Sequence, residues 1–308
     1  DALLLLDDFK TIGVRSVSLI SDGESTLSRA YEPFIQHAHE IGIDVGNATN
    51  GWEWESDRIE KVLPSLTWVR FTVAAGTPSE YARIMYRGPD QTQVFDRAMS
   101  NIRYAVDLKR RLNLSVTLGI QMVLTPDLAH EILPFAKLAL DLGVDYGVIK
   151  HCSDDETGSL GVDYSGYEAL FPVLRSAEAM STEQTSIIVK WQKIQDGGTA
   201  PYRRFYGPQF LLQISGSGLV APSGMFFNAK YSKLHIGNFT EERFLDIFRS
   251  PRYWRAMNYL ASPAFDARTM MGSLPIQHYI SDALDQHLRG NRRIQPAAGK
   301  PPLHVNFL

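Results

Sequence analysis

The sequence predicts an α/β protein in two parts: a parallel sheet covered by helices, then a small α+β region. Three observations predict it. Strand-like and helix-like segments alternate five times before Ser181, at the spacing of βα units. Each of the five strand-like segments ends in a polar stretch: SDGEST, NATNG, TVAAGT, MVLTP and IKHCSDDE. Sites in barrels and open α/β sheets lie at such strand ends. After Ser181 the rhythm changes to short strands, hairpin-type turns and a run of helices.

The elements follow in order. Asp1 to Ile12 reads as an amphipathic helix that stops at Gly13, and Val14 to Ser21 as a buried β-branched strand. A helix over Ala30 to Ile41 ends at Gly42, and Ile43 to Ala48 is the second strand. A short helix at Glu55 to Leu63 leads to the third strand, Thr67 to Ala74. A helical turn at Pro78 to Met85 and a long helix at Asp90 to Leu112 precede the fourth strand, Ser115 to Leu124. A helix over Asp127 to Leu142 closes on Gly143, followed by a strand at Asp145 to His151 and a helix at Tyr164 to Met180. Beyond it come strands at Ser186 to Ile194, Phe210 to Ile214, Gly218 to Ala221 and Met225 to Phe227, with SGSG at Ser215 to Gly218 as a hairpin turn. Helices follow at Thr240 to Phe248, with Thr240 as N-cap, at Pro251 to Leu260 and at Pro275 to Leu288. Gly290 to Leu308 has no period and is expected to be a flexible tail.

Composition narrows the function. The 308 residues are 21% charged and 44% apolar, with a net charge of -3. That balance offers no field to recruit nucleic acid or an anionic membrane. The run ALLLL at Ala2 to Leu6 is far shorter than the ~20 apolar residues of a membrane span. No signal-peptide pattern occurs, so the default expectation is a cytoplasmic protein. The chain starts on Asp1 rather than Met, and residues are expected to precede it. The single cysteine, Cys152, excludes an internal disulfide and any all-cysteine metal or iron–sulfur site within the chain, which takes about four thiolates.

The residues also carry a resemblance. GVRSVSLISDGESTL resembles the second barrel strand and following turn of radical S-adenosylmethionine (radical SAM) enzymes, where the usual form is Gly-Gly-Glu-Pro-Thr. IGIDVGNATNGW resembles their third strand, which ends on Thr-Asn-Gly, and WVRFTVAAGTPSEYARIM the fourth. ISGSGLVAPSGMFFNAKYSKLHIGNFTEERFLDIFRSPRY resembles their SPASM or twitch C-terminal extension. The resemblance implies a partial (βα)6 TIM-type barrel, lacking its first strand in this chain, plus a small α+β domain. It implies domains over residues 1–182 and 183–289, with a tail over 290–308. The family is one of oxidoreductases. It cleaves S-adenosylmethionine reductively at a [4Fe–4S] cluster, and the resulting 5′-deoxyadenosyl radical abstracts hydrogen from a substrate. Relatives with this extension often take peptides or proteins, and flavodoxin or ferredoxin is the expected electron donor.

Two departures limit the reading. The Cys-x3-Cys-x2-Cys loop that holds the family's cluster is absent, together with the first strand, so the metal-binding function has no ligands here. In the extension, the expected cysteine after VAP is Ser223, and Phe205, Met271 and Pro275 stand near where further ligands are expected. The extension is read as having kept its fold without a cluster.

The resemblance implies a cofactor-binding role for Asp22, Gly23 and Glu24, with Glu24 accepting the amino group of S-adenosylmethionine. Taken alone, DGES reads first as a capped turn, and the neighbouring motifs turn the reading towards a ligand clamp. Thr49 and Asn50 would lie beside the same ligand. Arg70 and Thr72 share one face of a strand, where Arg70 needs an anion: a methionyl carboxylate or a nearby acid. Gln121, with Gly119 two residues earlier, is placed towards the adenosyl moiety. Lys150, His151 and Asp154, with Asp155, Glu156 and Lys190, are candidate substrate contacts or a solvated charged rim. Cys152 is read as packing. Two other readings stand beside the radical enzyme. One is a cluster-less, non-catalytic relative that binds a small molecule or partner. The other is a barrel lyase using Lys150 as a Schiff base.

Overall fold

The computed structural model describes residues 2–20, 23–86, 92–154, 158–195, 200–269, 275–295 and 303–307. Two compact units emerge: residues 15–152 with 163–195, and residues 1–14 with 153–162 and 196–308.

The first unit is built on six strands: β1 (Ser16–Leu19), β2 (Asp44–Thr49), β3 (Trp68–Thr72), β4 (Thr117–Leu124), β5 (Tyr146–His151) and β6 (Ser186–Val189). All neighbours pair parallel, in the order β1-β2-β3-β4-β5-β6. An unreversed order with right-handed crossovers places every helix on the same side, as in a TIM-type barrel rather than a doubly wound sheet. The connecting helices, Tyr31–Glu40, Ser56–Val62, Pro78–Tyr86, Thr92–Leu112, Ile132–Leu142 and Phe171–Glu178, run between the strands. The partial α/β barrel expected from the sequence is therefore present.

Strand alternation decides what each face does. Val69 and Phe71 are fully buried towards the helices, where Phe71 meets the edge of Trp54 at 5.4 Å. Gly147 approaches Phe135 and Ala139 of the Ile132–Leu142 helix. Trp68, Arg70 and Thr72 of β3 therefore face the other way, as do Gly119 and Gln121 of β4 and Tyr146, Val148 and Lys150 of β5. At the end of the Ile132–Leu142 helix, Gly143 takes φ +66° and its N–H bonds Ala139 O and Leu140 O, a left-handed stop that a side chain would strain.

Several boundaries differ from the sequence expectation. The Ser186 strand stops at Val189, and the chain turns into the short helix Trp191–Gln195. Because β6 pairs with β5, the sheet unit runs to Gln195 instead of closing at residue 182. The opening helix, Ala2–Ile12, belongs to the second unit. There Phe9 packs edge-on to Phe244 at 4.9 Å, and the buried Asp8 carboxylate accepts from Arg243 Nη2 at 2.5 Å and Leu245 N–H at 3.2 Å. Arg243 holds the Asp8 carboxyl below its ordinary range.

The second unit also contains a three-stranded antiparallel sheet, β7 (Gln213–Ile214), β8 (Leu219–Ala221) and β9 (Gly237–Asn238). The SGSG turn joins β7 to β8 through a Gly218 N–H to Ser215 O bond of 3.0 Å. Three helices follow, Phe244–Arg249, Pro251–Ala261 and Pro275–Leu288. Residues 224–227 form a 3-10 turn rather than a strand. Thr240 is not an N-cap: its N–H and hydroxyl both bond Asn238 Oδ1, and the helix starts at Phe244. The pattern Phe-Leu-Asp-Ile-Phe satisfies its helical face without the preceding residues, which explains the later start.

Candidate functional site

At the end of β1 the chain passes into a single 3-10 turn, Ser25–Leu27. Glu24 caps it. Its Oε1 accepts from Thr26 N–H at 3.2 Å, Thr26 Oγ1 at 2.9 Å and Thr49 Oγ1 at 2.9 Å. Its Oε2 accepts from Asn50 N–H at 2.8 Å. A carboxylate offers about four acceptor positions, two on each oxygen. Oε1 is thus over-committed, while Oε2 has one partner among the described residues and keeps an acceptor position open. The carboxylate caps the turn through these bonds.

Thr49, at 3% exposure, is the bridge: it donates to Glu24 and accepts from Gly51 N–H at 3.0 Å. Asn50 contributes its backbone to Glu24, and its Oδ1 accepts from Trp52 N–H at 2.8 Å, an Asx-type turn. The structure therefore brings Glu24, Thr49 and Asn50 together, with the Asn50 side chain holding the turn. Gly23 is exposed, with open space where a Cβ would stand. Asp22, Asp155, Glu156 and Met271 lie outside the described residues. Behind this turn lies a buried network that the strand pattern does not reveal. Asn47 Nδ2 donates to Tyr31 Oη at 2.8 Å, Trp54 Nε1 donates to the same oxygen at 2.9 Å, and Ser25 Oγ donates to Asn47 Oδ1 at 3.1 Å. Asn47 hid inside a strand-like run, and only its polar character within DVGNAT signalled it.

The open face of the sheet has a floor. Trp68 covers Gly46, whose Cβ would fall 2.0 Å from the indole, and Tyr146 covers Gly119, whose Cβ would fall 2.2 Å from the phenol ring. The space over Gly119 is thus filled by the Tyr146 ring. Arg70 lies on this floor, its guanidinium carbon 5.6 Å from the Trp68 ring centroid. Its Nε is buried and lacks a hydrogen-bond partner, and burial lowers its pKa. No ion pair to Arg70 occurs among the described residues, so the intrabarrel salt bridge left open by the sequence does not form there. Thr72 and the buried Gln121 are register partners one layer higher on the same face.

Around β5 the candidates separate. Lys150 shares the open face with Arg70 and is half-buried. Its pKa falls to about 7, through burial first and then the positive charges of Lys193 and Arg70. His151 points to the helical side, edge-on to Tyr164 at 5.5 Å and Tyr167 at 5.9 Å. Burial lowers its pKa to about 4, so the ring is neutral near pH 7. Asp154 accepts from Leu160 N–H at 2.9 Å and Val162 N–H at 3.1 Å, shaping its own loop. Lys190 follows β6 and is exposed. Cys152 is half-buried, and its N–H bonds Leu124 O and Tyr167 Oη.

An iron–sulfur cluster does not fit these residues. The chain has one cysteine, and no three His, Cys, Asp or Glu side chains group suitably among the described residues. In the second unit, Ser223 is 1% exposed and its Oγ donates to Gln213 Oε1 at 3.3 Å. Phe205 is fully buried, stacked 6.4 Å from Tyr202 and edge-on to Phe226 at 6.3 Å. Aromatic rings and amide hydrogen bonds build this core.

No family model and no curated protein matches the chain. Solved structures do. Streptococcus suis SuiB bound to S-adenosylmethionine is similar over 83% of this chain and 60% of that chain, with TM-score 0.62 and 16% identity. SuiB bound to the precursor peptide SuiA is similar over 92% of this chain and 68% of that one, with TM-score 0.59 and 15% identity. Native anSMEcpe with bound AdoMet and the Kp18Cys peptide is similar over 94% and 88%, with TM-score 0.56 and 13% identity. The chain spans about 60% of the SuiB chain of the first structure. At these identities the likeness is one of fold. No helix among the described residues is long and apolar enough to cross a membrane.

Proposed function

We propose that this chain is the barrel and extension of a radical S-adenosylmethionine-type protein, and that it binds S-adenosylmethionine on the open face of the sheet. The observation that carries the reading is the Glu24 clamp, found in a fold shared with proteins solved with that ligand bound. Oε1 is anchored by Thr26 and Thr49, so the carboxylate is pre-oriented before any ligand arrives. Oε2 would then accept from the ligand's ammonium group at little reorganisation cost. Arg70, desolvated and without an anion among the described residues, would receive the methionyl carboxylate. Thr72 and Gln121 would line the remainder. When bound, S-adenosylmethionine supplies a sulfonium centre. A peptide or protein substrate is the proposed class, since SuiB and anSMEcpe are solved with peptides. No radical step is assigned to residues of this chain, because its single cysteine cannot ligate a cluster.

Equilibrium dialysis with S-adenosylmethionine tests the reading. Losing a charge-assisted bond costs about 1.5–3 kcal/mol, so Glu24→Gln should weaken binding by roughly 10- to 150-fold, and Arg70→Met similarly. Unchanged affinity in both variants would return Glu24 to a turn cap and Arg70 to a floor residue. A second reading, a cluster-less binding protein, is favoured by the packed Phe205 and Ser223 core. Stoichiometric iron and sulfide in anaerobically purified protein would argue against it.

A further inference from the structure

Lys150 and Lys190 occupy matching positions on neighbouring strands. Ile149 pairs with Val189, and both are buried towards the helices. The ladder continues one step, because Lys190 N–H bonds Ile149 O at 2.9 Å. Lys150 and Lys190 therefore leave the sheet side by side on the open face. The chain then turns into the Trp191–Gln195 helix, with Ile194 N–H bonded to Lys190 O at 3.1 Å. Trp191 is tied to the helical side: its Nε1 donates to Glu178 at 2.8 Å, and its ring meets the edge of Phe171 at 5.4 Å. Lys193 lies one helical turn beyond Lys190, and its charge acts on Lys150.

Elsewhere this unit pairs its charges: Lys109 with Asp145, Arg58 and Lys61 with Glu32, Arg97 with Glu55. Lys150, Lys190 and Lys193 have no carboxylate partner among the described residues, and neither does Arg70, two layers below on the same face. Burial lowers the affinity of Lys150 and Lys193 for protons, and at Lys150 the positive charges of Lys193, Arg70 and Lys190 act in the same direction. Among the described residues nearby, His151 is a neutral ring on the helical side and supplies no counter-charge near pH 7, whereas Cys152 acts to raise the proton affinity of Lys150 and Lys193.

Three ammonium groups suit a multiply charged, roughly spherical anion. A single planar carboxylate is better matched by an arginine fork. We infer that Lys150, Lys190 and Lys193 form a binding subsite for a phosphate-type polyanion carried by a small-molecule ligand. The subsite does not rest on the S-adenosylmethionine reading and uses none of the residues assigned to that ligand.

Inorganic diphosphate is the probe, measured by calorimetry on the full chain near pH 7 at constant ionic strength. Saturable binding is expected, with phosphate weaker and acetate and citrate weaker still. Because Lys150, with its pKa lowered to about 7, is partly deprotonated before binding, proton uptake should appear as a dependence of the heat on buffer ionisation enthalpy. Lys150→Met and Lys193→Met should each weaken diphosphate about tenfold or more, and Lys150→Met should reduce the proton uptake. Both variants remove repulsion, so they should melt no lower than the parent, which separates lost binding from lost folding. The inference is overturned if the parent chain shows no saturable diphosphate binding, if the double variant binds it equally well, or if citrate or acetate matches diphosphate.

Discussion

Lys150 makes the pH dependence of stability a quantitative test. Its folded-state pKa is about 7, while an unfolded lysine titrates near its ordinary value of 10.5. Between those values the unfolded chain binds more protons at this residue than the folded chain does. Stability must then rise with pH across that window and level off below about pH 7, where both states are protonated. Integrating the two titrations from pH 7 to pH 9 gives about 2 kcal/mol of added stability from this one group. The perturbation is Lys150→Met, which keeps the stem and deletes the charge. Lys190, Lys193, Arg70 and Cys152 also titrate or act nearby, and subtracting the variant removes their contribution to first order. Guanidinium unfolding of both proteins at pH 7 and pH 9 is the assay. The parent should gain about 2 kcal/mol more than Lys150→Met between the two values, and Lys150→Met should be the more stable protein at pH 7. Parallel behaviour of the two proteins would mean that Lys150 is solvated or neutralised, and the argument from its burial would fail.

Other substitutions probe the scaffold. Glu24→Ala leaves the buried Thr49 hydroxyl and the Asn50 N–H without their acceptor and should cost about 2–4 kcal/mol in denaturant unfolding; a change below about 0.5 kcal/mol would sink the clamp. Gly119→Ala puts a methyl group 2.2 Å from the Tyr146 ring, and about 1–3 kcal/mol of overpacking should appear as a lowered melting midpoint. Phe205→Ala opens a cavity in the second unit's aromatic core and should cost about 3–5 kcal/mol; retention of parental stability would mean that the stack with Tyr202 carries little.

The sheet was legible because its signal is regional. Runs such as SVSL, WVRFT and YGVIKH alternate with amphipathic helices at constant spacing, and no single residue decides the outcome. The end of β6 was not legible, since VKWQK continues an apolar alternation that either a strand or a helical turn can satisfy. What fixes the turn is the bond from Trp191 to Glu178, thirteen residues away, which no local pattern encodes. The allegiance of the Ala2–Ile12 helix to the second unit depends on Asp8 meeting Arg243 across 235 positions, again invisible locally. The family resemblance pointed to Glu24, Thr49 and Asn50, which the structure brings into one hydrogen-bonded turn. The resemblance did not point to Lys193, because its importance comes from β5 and β6 bringing Lys150 and Lys190 into adjacent register.

The most direct test of the central claim is a crystal structure of this chain grown with S-adenosylmethionine. The account predicts the ligand's amino group within hydrogen-bonding distance of Glu24 Oε2, with Thr26 and Thr49 still on Oε1 and the ligand carboxylate on Arg70. A ligand bound elsewhere, or a Glu24 carboxylate contacted only by Thr26, Thr49 and Asn50 in the loaded crystal, would contradict it.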